Sequence, residues 1–137
     1  MPDVFTQLKR SKIMASIKGR DTVPEKKIRS IVHRMGYRYS LHDKELPGCP
    51  DIVLNKYRKI IFVNGCFWHG HGACKRSARP LTNRKFWNSK IDSNIIRDKK
   101  FRRQLRSNGW KVLTIWQCEI NNSQKVYKKL YAFLQKT

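Results

Sequence analysis

Apolar residues change their spacing several times along the chain, and each change marks an element. Ile28, Ile31, Val32 and Met35 recur at helical intervals behind Thr22-Val-Pro-Glu25, which has the form of a capping box with a proline in the first turn. Gly36 ends that helix. Tyr37 to Ser40 reads as a short strand, and residues 43–50, with two prolines and a glycine, as a loop. Asp51-Ile-Val-Leu54 and Lys59 to Val63 are apolar, β-branched runs separated by a polar turn, the pattern of a hairpin. A loop rich in Gly, His and Cys runs from Asn64 to Pro80, and a long helix is predicted over 82–107, stopped by Asn108-Gly109. Trp110 to Trp116 is a further strand. Val126, Tyr127, Leu130, Phe133 and Leu134 mark a last helix over 123–134. The order helix, three strands, helix, strand, helix predicts a mixed α/β fold, with a central mixed sheet of about four strands flanked by helices.

The 137 residues fit one domain, 1–137, in which residues 1–21 form a polar, basic arm with one short helical piece at Ile13, Met14 and Ile17. Charge narrows the partners: 31 Lys and Arg against 9 Asp and Glu give +22, which calls for a polyanion. No apolar run approaches the length of a membrane span, and the amino terminus has no secretory pattern, so the expected location is the cytoplasm, with nucleic acid as the partner.

In such a compartment four cysteines suggest metal ligands or buried thiols before disulfides. Cys66, His71 and Cys74 fall within nine residues of one loop, and Cys118, two residues beyond a strand, is the candidate for the fourth ligand of a tetrahedral zinc. A closed set of four makes the ion structural. The competing reading is a group of unconnected buried thiols, but so glycine-rich and basic a loop has little apolar material with which to order itself. Cys49 lies outside the spacing.

Only nine acids are present, and two are out of place on a solvated face. Asp51 opens an apolar strand directly after Pro50, and Asp98 falls on the buried stripe of the long helix. Pro50-Asp51 followed by a turn and a second β-run is the opening of the PD-(D/E)xK nuclease pattern, in which the carboxylate holds a divalent cation against a phosphate. The usual acid-x-lysine is missing from the second run, which reads Phe62-Val63-Asn64, and a strand or turn cap is the plainer role for Asp51.

Leu46-Pro-Gly-Cys-Pro-Asp51, Phe62-Val-Asn-Gly-Cys-Phe-Trp-His-Gly-His71, Asn83-Arg-Lys-Phe-Trp87, Asn94-Ile-Ile-Arg-Asp98 and Gly109-Trp-Lys-Val-Leu together resemble the very-short-patch mismatch-repair (Vsr) endonucleases over nearly the whole chain. Arg10-Ser-Lys-Ile-Met14 through Arg20-Asp-Thr-Val-Pro-Glu25 is similar as well. The resemblance implies a restriction-endonuclease-like fold in which a main-chain carbonyl, here that of Val63, replaces the second acid. It further implies that Asp51 binds magnesium, that His69 activates the attacking water, that Asp98 orients His69 or its water, and that Glu25 belongs to the same site beside its capping role. From spacing alone His69 could instead be the zinc ligand in place of His71. Two positions depart from the family pattern: Asn64 stands where a histidine is expected, and Gly72-Ala73 where one residue is usual.

The implied substrate is duplex DNA nicked beside a T:G mismatch, cut by a monomer, with mismatch-repair proteins as further partners. Between Lys75 and Arg106 twelve Lys or Arg and two acids are interleaved with aromatics, a stripe suited to phosphates. Phe67, Trp68 and Trp87 are implied as wedges between base pairs, with Met14 and its neighbour Lys12 in the DNA-contacting arm. Packing in the core is the competing role for Phe67 and Trp87. Two other functions fit the same residues: a zinc-ordered DNA-binding module that does not cut, and a related nuclease with a different DNA target.

Overall fold

A computed structural model describes residues 22–135, apart from Ala73 and the side chain of Arg76. The arm with Lys12 and Met14 lies outside the described residues. Helix α1 (Val23–Arg34) begins where Thr22 Oγ1 accepts a hydrogen bond from the Glu25 amide at 3.4 Å, with Pro24 in the first turn where no amide donor is needed. Four strands follow the expected alternation: β1 (Ser40–Leu41), β2 (Ile52–Leu54), β3 (Lys59–Asn64) and, after helix α2 (Arg84–Ser107), β4 (Lys111–Trp116). Helix α3 (Ser123–Gln135) closes the described chain.

The sheet order is β1-β2-β3-β4, with the first two pairings antiparallel and β3·β4 parallel. A parallel pair needs a long crossover, and the 24-residue α2 supplies it. Side chains of a strand alternate between faces, which is why the β-branched runs are apolar throughout. Ile52, Leu54, Ile61 and Ile115 face Ile28 and Val32 of α1 and Val126, Leu130 and Leu134 of α3. Val53 and Ile60 face Leu105 of α2, with Phe62, Trp110 and Val112 packed alongside. The result is helices on both faces of a mixed sheet.

The first strand is displaced from the expected 37–40 to Ser40–Leu41. Tyr37 and Tyr39 instead pack against the core beneath α1 and α3, and their hydroxyls donate to the carbonyls of Leu134 (3.3 Å) and Arg29 (3.4 Å). No helix among the described residues is long and apolar enough to cross a membrane.

Candidate active site and metal centre

Strand pairing assembles the site. Asp51 immediately precedes β2, and the antiparallel register Ile52↔Ile61 sets it against the end of β3, where its Oδ2 accepts from the Val63 amide at 2.7 Å. On the other side the His42 amide donates to the Asp51 carbonyl at 3.4 Å, continuing the pairing Leu41↔Ile52. Glu25, 5% exposed, points in from the first turn of α1, bonded to Arg29 Nη2 at 2.7 Å and with Oε2 3.2 Å from His42 Nε2. The ligand atoms of Glu25, His42 and Asp51 all lie within 4.8 Å of one another.

Burial pushes the Asp51 carboxyl up to about 8, and a hydrogen bond with Glu25 and its negative charge add to the rise against the lowering influence of the Val63 amide and Arg29. A dication held by Asp51 would compete with a proton there. In the unfolded chain Asp51 titrates near 3.8, so its contribution to stability is complete below that pH and is lost as pH rises through about 8. We expect thermal melts in buffer without added divalent ions to fall between pH 5 and 8, and added divalent ion to stabilise more at pH 8 than at pH 6. The Asp51→Asn protein should lack both effects; a slope unchanged in that variant would assign the titration elsewhere.

Beyond β3 the chain turns tightly through Gly65–His71, with the His69 amide bonded to Gly65 O (3.2 Å) and the His71 amide to Cys66 O (3.0 Å). Gly70 has φ +59, and a Cβ there would stand 2.5 Å from Ile95 Cδ1, so the loop lies pressed on α2 in a conformation and at a distance that favour glycine. Asn94, 5% exposed, fastens it from α2 by donating to the Trp68 carbonyl at 2.9 Å. One turn further along α2, Asp98 Oδ2 meets His69 Nδ1 at 2.6 Å. With Nδ1 donating to a carboxylate, Nε2 is left as the basic nitrogen. Glu25, Asp51, His69 and Asp98 all line one cleft of about 1250 Å³, with Asn64 in its wall.

The parallel pairing Asn64↔Trp116 places Cys66 and Cys118, each two residues farther along, side by side. The Cys118 amide donates to Cys66 Sγ at 3.3 Å, His71 Nδ1 lies 3.4 Å from Cys118 Sγ, and the His71 ring stacks on Trp116 at 4.1 Å. Cys66, His71, Cys74 and Cys118 bring all four ligand atoms within 4.8 Å. Burial and the neighbouring thiols push the Cys66 thiol up to about 12, so a cation bound here would displace its proton. Three sulfurs and one imidazole fit tetrahedral zinc. The structure thus parts the two histidines: His71 stands among the cysteines, His69 with Asp98.

Phe67, Trp68 and Trp87 contact one another with ring centroids 5.2 to 5.8 Å apart, and Phe86, 59% exposed, adds a ring 5.1 Å from Trp87. None belongs to either core cluster. All of the first three are half-buried, and Phe67 and Trp68 line the cleft. Sequence reasoning missed His42, Arg29 and Asn94. His42 stands opposite Asp51, one residue of strand pairing past Leu41, a register that the sequence does not mark.

A mixed sheet between helices, with carboxylates at a strand end in an open cleft, is a nuclease architecture. Over 82% of this chain and 94% of the other, the fold matches the catalytic domain of the homing endonuclease I-Bth0305I, with a TM-score of 0.56 and 26% identity. The family described as DNA mismatch endonuclease Vsr matches residues 2–76. Type II nicking enzyme V.XorIIP of Xanthomonas oryzae pv. oryzae is 42% identical over 122 residues, 89% of each chain. DNA mismatch endonuclease Vsr of Escherichia coli strain K12 is 40% identical over 126 residues, covering 92% of this chain and 80% of the relative. The chain belongs to the Vsr family of DNA endonucleases.

Proposed function

We propose that this endonuclease nicks one strand of duplex DNA beside a T:G mismatch by magnesium-dependent hydrolysis, acting as a cytoplasmic monomer. The observation that carries the reading is the His69–Asp98 pair facing the Glu25 and Asp51 carboxylates across a single cleft. Asp51 and the Val63 carbonyl are the proposed holders of the divalent ion, and Glu25 completes the acidic corner. When bound, the ion neutralises charge developing on the phosphate and eases deprotonation of water. His69 Nε2 takes the proton of the attacking water, while Asp98 fixes the ring's tautomer and stabilises the imidazolium that forms. In the structure it is the Val63 amide that touches Asp51, which holds the carboxylate in place. Zinc in the Cys66, His71, Cys74 and Cys118 site orders the loop that carries His69.

A mismatch as the target is supported by the name of the Escherichia coli relative and by the aromatic group at the cleft, and T:G is the mismatch that the family resemblance implies. Large rings on a wet, charged loop are suited to wedging between weakly stacked pairs. Replacing Trp68 by alanine should lower the preference for mismatched over matched duplex by about tenfold, the scale of one lost stacking contact. Equal weakening on both duplexes would make the ring a packing element.

The reading is tested with a panel of labelled duplexes, one for each mismatch and one fully paired, incubated with and without magnesium. Nicking confined to T:G and dependent on magnesium is expected. Equal cutting of paired duplex would assign another target, and binding with no cutting at all would leave a zinc-ordered DNA-binding module.

A further inference from the structure

An imidazole shares the acidic corner of the cleft, and nothing in the proposed reaction uses it. The side chains of His42 and Glu25 are 10% and 7% exposed, so this is an interior contact. Arg29 Nη2 lies 2.8 Å from His42 Nε2 and 2.7 Å from Glu25 Oε2. A guanidinium can only donate, so the 2.8 Å contact with Arg29 selects the tautomer in which Nε2 presents its lone pair and Nδ1 carries the proton, over the one that would donate to Glu25 Oε2 at 3.2 Å. That is the form in which imidazole ligates a metal through Nε2. Arg29 bridges the two donor atoms with its one positive charge, standing in for a cation between them.

The backbone directs the ring to this place. His42 has φ +50, a left-handed conformation uncommon for a residue with a side chain, and its amide is tied to the Asp51 carbonyl. Strand pairing therefore delivers Asp51 and His42 together, and α1 delivers Glu25 and Arg29 one turn apart.

We propose that His42 is a third protein ligand of the divalent ion at Glu25 and Asp51, and that its imidazole makes the site select a first-row transition ion over magnesium. The proposal rests on the metal site assigned above. Magnesium is hard, prefers oxygen and keeps its waters, so it is held adequately by the two carboxylates alone. A mixed nitrogen and oxygen set favours the transition series instead. Manganese lies at the weak end of that series, which lets it probe this corner without displacing zinc from the sulfur-rich site.

The test uses the full, zinc-loaded chain without DNA and reads free Mn²⁺ by electron paramagnetic resonance, with Mg²⁺ as competitor. The unaltered protein should bind Mn²⁺ about tenfold more tightly than Mg²⁺, the scale of one added nitrogen ligand. His42→Ala should bring the two affinities within about twofold of each other, mainly by weakening Mn²⁺, with zinc content and melting temperature retained. His42→Gln, which can still accept from Arg29, should behave alike and covers the case in which the alanine variant does not fold. An unchanged Mn²⁺ to Mg²⁺ ratio in a folded His42 variant would overturn the proposal. Asp51→Asn separates it from the parent reading: loss of both ions is expected, and retention of both would remove the metal site itself, whatever His42 does.

Discussion

Substituting Cys118 by serine should strip the protein of zinc and lower its melting temperature by at least about 10 °C, since a few kcal/mol shifts a domain of this size by that much. Cys118 follows β4, whose end lies beside the end of β3 from which the loop with Cys66, His71 and Cys74 departs, so its ligation staples the exit of β4 to the exit of β3. Asn94 and the close approach of Gly70 to Ile95 hold the loop to α2, and zinc is what would tie it to β4. Elemental analysis of purified protein should give about one zinc per chain. A folded Cys118→Ser protein of unaltered stability, or folded native protein without stoichiometric metal, would show the four residues to be neighbouring thiols.

His69→Ala and His71→Ala should part company completely, although the residues are two apart. The first should retain zinc and duplex binding while nicking falls about a hundred- to ten-thousandfold, the range expected for loss of a positioned general base. His71→Ala should lose zinc and stability, and activity only as a consequence. Asp98→Asn keeps the shape of its partner but favours the wrong ring tautomer, so it should reproduce the His69 loss without touching the metal. Nicking and zinc content recorded on the same preparations check the contrast, and loss of zinc from His69→Ala would exchange the roles of the two rings.

The layered fold was legible because each element carries its own periodicity. Continuous β-branched runs flanked by amphipathic helices admit few arrangements, and the parallel pairing of β3 with β4 follows from the helix between them. Cys118 was legible for a related reason, since a parallel partner must end at the same edge as β3. His42 and Arg29 were not legible: one is placed by a left-handed residue past a two-residue strand, the other by the rotation of α1 over the sheet, and neither leaves a mark in spacing. From spacing alone the two histidines of the 66–74 loop are equivalent and only the family resemblance assigns them; in the structure Asp98, one helical turn from Asn94 on the face that meets the loop, takes His69. The shift of β1 reflects Tyr37 and Tyr39, whose alternation reads as a strand but whose hydroxyls are taken by helix carbonyls.

The central claim is that Asp51 holds the ion that makes the cleft a nuclease. Its most direct test is strand nicking of a T:G duplex in magnesium by the Asp51→Asn protein, with duplex affinity and zinc content measured on the same sample. Asparagine keeps the shape and can still accept from the Val63 amide but carries no charge for a cation. Nicking should fall by about a thousandfold, corresponding to the several kcal/mol of charge stabilisation that a bound metal supplies, while binding and zinc persist. Nicking at the unaltered rate by folded, zinc-loaded Asp51→Asn would contradict the account.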